Sequence, residues 1–166
     1  MTDASRLAPG ERAPDFCLPN QHGEQICLHD LRGTPIILYF YPKDMTPGCT
    51  LEATEFNEHV EEFGRLGWRI VGISPDTVES HARFAERHGL RFDILADPER
   101  SVLRSYGAWG IKHNYGKTTE GVLRSTVLLD ADGTVLQALY NVKATGHVAR
   151  VLDLVTKLSN QAKEAR

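Results

Sequence analysis

The residues best suited to chemistry are Cys49 and the loop that precedes it, Pro42-Lys-Asp-Met-Thr46-Pro-Gly-Cys49. The loop joins an apolar run to a predicted helix, so Cys49 lies at a helix start. There, free backbone N–H groups and the helix dipole stabilise an anion such as a thiolate, which is the nucleophilic form of cysteine. Thr46 is close enough in a compact loop to place its hydroxyl beside the sulfur. From these residues alone, the alternative is a small buried cysteine with Thr46 as a helix cap.

Alternating strands and helices would position this loop. The continuous apolar run 36–41 predicts a strand buried on both faces, and an apolar stripe from 50 to about 66 predicts the helix after it. Other strands are predicted at 68–73, 92–95, 125–129 and 135–140, and helices at 77–88, 98–106 and 146–160. The glycine-marked stretch 107–121 is predicted to be irregular. Together these elements predict one α/β domain over residues 1–166, with a mixed sheet covered by helices on both faces. A thioredoxin-like fold suits this pattern.

An N-terminal β-hairpin is predicted around the turn 20–23. The apolar residues that would face the core are Phe16, Leu18, Ile26 and Leu28. Pairing 16 with 28 and 18 with 26 places Cys17 opposite Cys27 on the other face of the hairpin. Directly paired residues have Cα atoms roughly 4.5–5.5 Å apart, which suits a disulfide. The alternative is a pair of inert thiols, as a reducing cytosol would keep them.

Bulk properties exclude several classes of function. A net charge of −3 without a Lys/Arg cluster argues against nucleic-acid binding. No apolar run approaches the roughly 20 residues that span a bilayer, and the first eight residues lack a secretory apolar region. We therefore expect a cytoplasmic protein without a membrane partner. The histidines are scattered, and His81 and His88 lie two helical turns apart, so we expect both to be solvated and predict no metal site.

The spacing Pro42-x-x-x-Thr46-x-x-Cys49 resembles the active-site motif of peroxiredoxins, and segment 39–50 is similar to their bacterioferritin comigratory protein, or peroxiredoxin Q, branch. The likeness covers nearly the whole chain. Its other matching segments are Ala13–Phe16, Gly72–Asp76, Tyr115–Lys117, Arg124–Thr126, Asp130–Gly133 and Asn141–His147. The resemblance implies a thioredoxin-like fold and a thiol-dependent peroxidase acting on hydrogen peroxide and alkyl hydroperoxides. It also implies that no metal or organic cofactor is needed, because sulfur supplies both electrons.

The resemblance implies a role for each matching residue. Cys49 would be the peroxidatic thiolate, which attacks the terminal peroxide oxygen and becomes a sulfenic acid. Thr46 would hydrogen-bond the sulfur and the peroxide, while Pro42 would pack over the sulfur and limit access of water. Arg124 would stabilise thiolate and peroxide through its fixed fork of donors, and Glu52 would orient that arginine. Without the resemblance, Arg124 is a surface residue at a strand entrance and Glu52 is a solvated helix charge.

One position departs from the family pattern. Many members of this branch carry a resolving cysteine five residues after the peroxidatic one, where this chain has Thr54, and others carry it in the next helix, where segment 81–85 has no thiol. We therefore expect a one-cysteine enzyme reduced by thioredoxin or another external thiol. Resolution by Cys17 or Cys27, or a disulfide between two molecules, remains an alternative. We expect a monomer, with a dimer as the alternative. A second candidate function is a non-catalytic thioredoxin-like redox sensor or chaperone.

Overall fold

The computed structural model describes residues 6–164, which form nine strands and five α-helices. The strands are β1 Cys17–Pro19, β2 Gln25–Cys27, β3 Ile36–Phe40, β4 Arg69–Ser74, β5 Asp93–Ala96, β6 Trp109–Asn114, β7 Lys117–Val122, β8 Ser125–Leu129 and β9 Val135–Leu139. The helices are α1 Pro47–Glu58, α2 Val60–Arg65, α3 Val78–His88, α4 Ser101–Ser105 and α5 His147–Glu164. Within residues 6–164, no helix is both long and apolar enough to cross a membrane.

The central sheet has five strands in the order β5-β4-β3-β8-β9. Strands β3, β4 and β5 are parallel, whereas β8 and β9 are each antiparallel to a neighbour. All five residues of β3 are buried, as its continuous apolar run predicted. The register pairs Phe40, which ends β3, with Ser125, which begins β8. The residue just before β8 therefore lies beside the end of β3 from which the Cys49 loop departs.

Two apolar clusters cover the two faces of this sheet. Alternate residues of β3 divide between them, with Ile36, Leu38 and Phe40 in the first cluster and Ile37 and Tyr39 in the second. The first cluster packs against α4 and the β1–β2 hairpin, and the second holds the apolar sides of α1, α2, α3 and α5. The predicted mixed sheet with helices on both faces is thus confirmed.

The N-terminal hairpin has the predicted register. Leu18 pairs with Ile26 and Cys17 pairs with Cys27, so the two sulfurs lie on the face turned away from the apolar cluster. They form a disulfide, with Cα atoms 4.0 Å apart, slightly closer than expected. Of the two predicted states, the structure therefore has the disulfide, and Cys49 is the free cysteine.

Two local predictions were wrong. The stretch 107–121 is not irregular, because 109–114 and 117–122 pair as the β6–β7 hairpin. Its turn residues, Tyr115 and Gly116, both have positive φ, as the tight turns of hairpins require. The helix expected from 50 to about 66 is broken at His59 into α1 and α2. Leu51, which the apolar stripe included, is 39% exposed.

A close contact across the sheet predicts the effect of one substitution. Gly72 of β4 pairs with Tyr39 of β3, and a Cβ atom at Gly72 would lie 2.9 Å from carbons of the buried Tyr39 ring. Since the ring is packed on all sides, we expect Gly72→Ala to lower the free energy of unfolding by about 1–3 kcal/mol, the usual cost of overpacking. Urea denaturation would measure this change.

A second glycine provides the control. Within the described part of the chain, a Cβ at Gly64 in α2 would meet open space. Because alanine favours helix over glycine, Gly64→Ala should raise the free energy of unfolding by roughly 0.5–1 kcal/mol. Equal effects of the two substitutions would contradict the packing argument.

Candidate active site

Cys49 is the third residue of α1 and lies in its first turn, as predicted. The helix begins at Pro47, since proline is well suited to a first helical position. The Cys49 side chain is only 1% exposed and packs in the second apolar cluster beside Tyr39. Reactive cysteines are commonly partly exposed. This burial limits direct contact of the sulfur with large molecules while α1 stays folded.

Arg124 joins the sulfur to a buried carboxylate. Because it immediately precedes β8, the sheet register brings it to the Cys49 loop. Its Nη2 donates to Cys49 Sγ at 3.4 Å, and its Nη1 donates to Glu52 Oε1 at 2.6 Å. A Cβ at Gly48 would lie only 3.1 Å from Nη2, so glycine there leaves room for the guanidinium. Without the family resemblance, the sequence indicated that Arg124 is a surface residue. That interpretation is wrong, because only 15% of its side chain is exposed.

Glu52 is fully buried. The interpretation of Glu52 as a solvated helix charge, made without the family resemblance, is therefore wrong. Burial raises the pKa of Glu52 to about 7, although the positive charge and hydrogen bonds of Arg124 act in the opposite direction. Among residues 6–164, its second oxygen, Oε2, has no hydrogen-bond partner. An unpaired buried oxygen favours the protonated acid, in agreement with the raised pKa. The carboxyl group thus holds the guanidinium through Oε1 alone.

His147 is a site residue that sequence reasoning missed. Its Nε2 lies 2.7 Å from Thr126 Oγ1 and 4.0 Å from Glu52 Oε2. Burial, with the positive charges of Arg150 and Arg124, lowers the pKa of His147 to about 4, so the ring is neutral at neutral pH. Both His147 and Thr126 lie in segments that matched the family, but nothing in their spacing linked them to Cys49.

Thr46 and Pro42 lie in the loop between β3 and α1. Thr46 is the N-terminal cap position of α1, and its carbonyl accepts the first helical hydrogen bond, from Thr50 N at 2.9 Å. Its hydroxyl donates to Lys43 O at 2.7 Å instead of capping the helix. A hydroxyl whose hydrogen is used in this way keeps lone pairs free to accept another hydrogen bond. Pro42 is half-buried at the start of the loop.

A buried polar cluster fixes this loop. The Asp44 carboxylate accepts hydrogen bonds from Tyr41 Oη at 2.6 Å and Ser80 Oγ at 2.8 Å, and lies 2.7 Å from His81 Nδ1. His81 is 0% exposed, so the prediction of a solvated position was wrong. The next loop residue, Met45, has φ 67°, a conformation that is costly for a residue other than glycine. The cluster therefore holds a strained turn at Met45, two residues before α1 begins at Pro47.

The buried carboxyl group predicts a pH dependence of stability. Burial raises the pKa of Glu52 in the folded protein from 4.5 to about 7, so between these values the folded state binds more protons than the unfolded state. The stability that this group contributes is present at low pH and is lost as pH rises through 7. Relative to Glu52→Gln, the natural protein should lose up to about 3 kcal/mol between pH 4.5 and 7. Denaturation curves at stepped pH would measure the difference.

Glu58→Gln is the matched control, since it removes a carboxylate from the exposed end of the same helix. A Glu52→Gln difference that stays constant with pH, or an equal pH-dependent difference in the control, would contradict the assignment.

Known proteins closely resemble this chain. A relative in Mycobacterium tuberculosis strain H37Rv is 50% identical over 151 residues, covering 91% of this chain and 96% of the relative. Peroxiredoxin Bcp of Bacillus subtilis is 43% identical over 152 residues, covering 92% of this chain and 97% of that protein. The structure of the Xanthomonas campestris bacterioferritin comigratory protein superposes with a TM-score of 0.82 at 37% identity, covering 87% of this chain and 92% of that one.

The family comparison agrees with the geometry. The sequence model that describes the AhpC/TSA family matches residues 9–138, which include Cys49, Glu52 and Arg124. The expected peroxiredoxin relationship and thioredoxin-like fold are therefore confirmed. This chain belongs to the AhpC/TSA family and is a thiol-dependent peroxidase of the bacterioferritin comigratory protein, or peroxiredoxin Q, type.

Proposed function

We propose that Cys49 reduces hydrogen peroxide and alkyl hydroperoxides and that the enzyme is of the one-cysteine type. The observation that supports this most is the Arg124 guanidinium, held between Cys49 Sγ at 3.4 Å and Glu52 Oε1 at 2.6 Å. A fixed cation beside a sulfur stabilises the thiolate before reaction and the charge on oxygen during it. Folding alone does not require a cation at this buried sulfur.

In the first step, the Cys49 thiolate attacks the terminal oxygen of the peroxide. A sulfur–oxygen bond forms and the oxygen–oxygen bond breaks, so sulfur loses two electrons and becomes a sulfenic acid. The leaving oxygen takes a proton and departs as water or an alcohol. Negative charge moves from sulfur to this oxygen, and the donors of Arg124 are placed to stabilise it throughout.

Two loop residues assist this step in the proposed mechanism. The Thr46 hydroxyl, which donates to Lys43 O, accepts a hydrogen bond from the peroxide O–H and so orients the substrate. Pro42, half-buried at the start of the loop, packs near the sulfur and limits access of water. Their positions in the loop fixed by Asp44 support both roles.

An exposed apolar side chain in the active-site loop supports the inclusion of alkyl hydroperoxides. Met45, in the loop between β3 and α1, is 44% exposed. Such a side chain offers contacts to an alkyl group that hydrogen peroxide lacks. The related Xanthomonas campestris structure was determined in a study of alkyl peroxide reduction.

The position of the other two cysteines supports the one-cysteine type. Cys49 lies in the cluster on one face of the sheet, whereas the Cys17–Cys27 hairpin packs on the other face and turns its sulfurs outward. A bond between Cys49 and either residue within one molecule would have to bypass the sheet. We therefore propose that α1 opens locally after oxidation, because the folded helix buries the sulfur, and that an external thiol, such as thioredoxin, then attacks the sulfenic acid and releases water. A second thiol then frees Cys49 in a protein that we propose to be monomeric.

Substitutions at the two contacting groups would test the proposal. Cys49→Ser should abolish peroxide consumption, because the nucleophile is gone. Arg124→Lys should lower the second-order rate constant for peroxide by about 10²–10³, the usual cost of losing one aligned donor at an oxyanion. Stopped-flow kinetics with hydrogen peroxide would measure both.

Arg83→Lys, at an exposed position of α3, is the matched control and should keep the natural rate. Activity that survives in Cys49→Ser would overturn the whole assignment. A rate for Arg124→Lys equal to that of the Arg83→Lys control would refute the proposed role of the guanidinium.

The resolving step is tested by mass spectrometry of fully reduced protein after one equivalent of hydrogen peroxide. We expect the natural chain to gain a sulfenic acid that a trapping reagent maps to Cys49. Thr54→Cys should instead form a disulfide with Cys49 if α1 opens. Positions five apart point about 140° away from each other on an intact helix, so the helix must unwind first. A disulfide from Cys49 to Cys17 or Cys27 in the natural chain would refute the one-cysteine type.

A further inference from the structure

The outer face of the N-terminal hairpin carries a second group of reactive side chains, which the peroxidase mechanism does not use. Cys17 and Cys27 are directly paired at the end of the hairpin away from its turn. Asp15 comes two residues before β1, and His29 lies in a short 3-10 helix, Leu28–Leu31, that directly follows β2. His29 Nδ1 lies 2.9 Å from Asp15 Oδ2, and the His29 backbone N–H donates to Asp15 Oδ1 at 3.2 Å.

The spacing of these groups suits a metal ion. The two sulfurs and a ring nitrogen of His29 all lie within 4.8 Å of one another, although the scattered histidines predicted no such group from the sequence. Zn²⁺ takes thiolate and imidazole ligands at about 2.0–2.3 Å in a tetrahedral arrangement. Cys17 and His29 are exposed and Cys27 is half-buried, so an ion can reach them from solvent.

Asp15 adds a feature typical of zinc centres. A histidine ligand usually donates its second ring N–H to a carboxylate, which fixes the ring and its tautomer. The Asp15 carboxylate lies at hydrogen-bond distance from Nδ1, so a proton on Nδ1 leaves the lone pair of Nε2 for an ion. The backbone hydrogen bond from His29 fixes Asp15 in turn.

We propose that reduction of the Cys17–Cys27 disulfide creates a Zn²⁺ site on this hairpin, with Cys17, Cys27 and His29 as ligands. Asp15 orients the imidazole, and water fills the fourth position, which faces solvent. The apolar side of the hairpin packs on the sheet through Leu18 and Ile26, so the backbone holds the two cysteines opposite each other after reduction. Side-chain rotation alone then separates the sulfurs enough to bind one ion.

Reduction and reoxidation of the hairpin disulfide bind and release the ion. A dithiol reductant gives two electrons and two protons to the disulfide, yielding two cysteine thiols, and itself becomes a disulfide. Zn²⁺ then displaces one proton from each thiol. A hydroperoxide reverses the change, since it takes two electrons from the thiolates and two protons from solvent. The disulfide forms again, and the oxygen–oxygen bond breaks to give an alcohol and one water, or two waters from hydrogen peroxide. Zn²⁺ is released because disulfide sulfurs carry no thiolate charge.

Metal titration of the full-length protein tests the proposal. Co²⁺ serves as a spectroscopic probe, because thiolate ligands give it a charge-transfer absorption, and competition with Zn²⁺ then gives the zinc affinity. We expect the reduced protein to bind one equivalent, and the disulfide form to show no thiolate absorption. Cys49→Ser should bind as the natural chain does, which excludes the active-site sulfur as a ligand.

Variants on the hairpin separate the site from a general effect on folding. The Cys17→Ser/Cys27→Ser double variant should bind Zn²⁺ at least about 100-fold more weakly, as expected when ligands rather than outer-shell groups are lost. His29→Gln leaves both thiols in place and should also lose affinity. Asp15→Asn should weaken binding by about 10–100-fold. His22→Gln, in the turn of the same hairpin, is the control and should keep the natural affinity.

Three results would overturn the proposal. The first two are a zinc affinity equal to that of the natural chain in the cysteine double variant or in His29→Gln. The third is reduced protein that fails to bind one equivalent of Zn²⁺ although its circular dichroism shows that it is folded like the disulfide form. His29→Gln should also keep the natural peroxidase rate, because Cys49 lies on the other face of the sheet. Failure of the zinc site and failure of the peroxidase assignment are therefore distinguishable.

Discussion

The Arg124–Glu52 ion pair is the interaction on which the rest of the site depends. Glu52 is fully buried, and breaking a buried pair by removing one partner usually costs about 3–5 kcal/mol. Burial alone would lower the pKa of Arg124, but the negative charges of Glu52 and Cys49 outweigh it and raise that pKa. The guanidinium thus remains charged although little of its side chain is exposed, and the second half of its donor fork faces the sulfur. Helix α1 and the entrance to β8 must meet for this to happen.

The contact between α1 and the start of β8 depends on backbone geometry more than on the charges of Arg124 and Glu52. The antiparallel register of β3 and β8 places Arg124 beside the end of β3. The Asp44 cluster then fixes the loop that carries the chain from β3 to Cys49. Strained backbone persists only where surrounding structure over-determines it, and Met45 with its positive φ is such a position. The sheet and the loop therefore fix the distance between cation and sulfur before any substrate arrives.

Features set by neighbouring residues could be predicted from the sequence. The buried strand β3, the helix from Thr77 to Gly89 with its left-handed end, and the register of the cysteine hairpin all follow local patterns, and all are present. The burial of Glu52 and His81 could not be predicted, because their partners are 72 and 37 residues away in the sequence. Arg124 was identified by family resemblance, since no local pattern distinguishes it from a surface arginine.

The β6–β7 hairpin was not predicted from the sequence for a different reason. Its glycines indicated an irregular segment, but Gly116 supplies the positive φ of a two-residue turn. His147 could not be assigned to the site from the sequence, because its neighbour Thr126 lies on another element and the buried contact between them exists only after folding.

The division of the core into two faces has a consequence for how oxidants affect the molecule. Cys49 is shielded in one cluster, whereas the hairpin sulfurs are on the outside of the other. The sheet separates the two centres, so their oxidation states can combine in four ways in one molecule. Cys49 is accessible only to oxidants small enough to reach a buried sulfur, whereas the outer pair is open to any thiol, disulfide or peroxide in solvent.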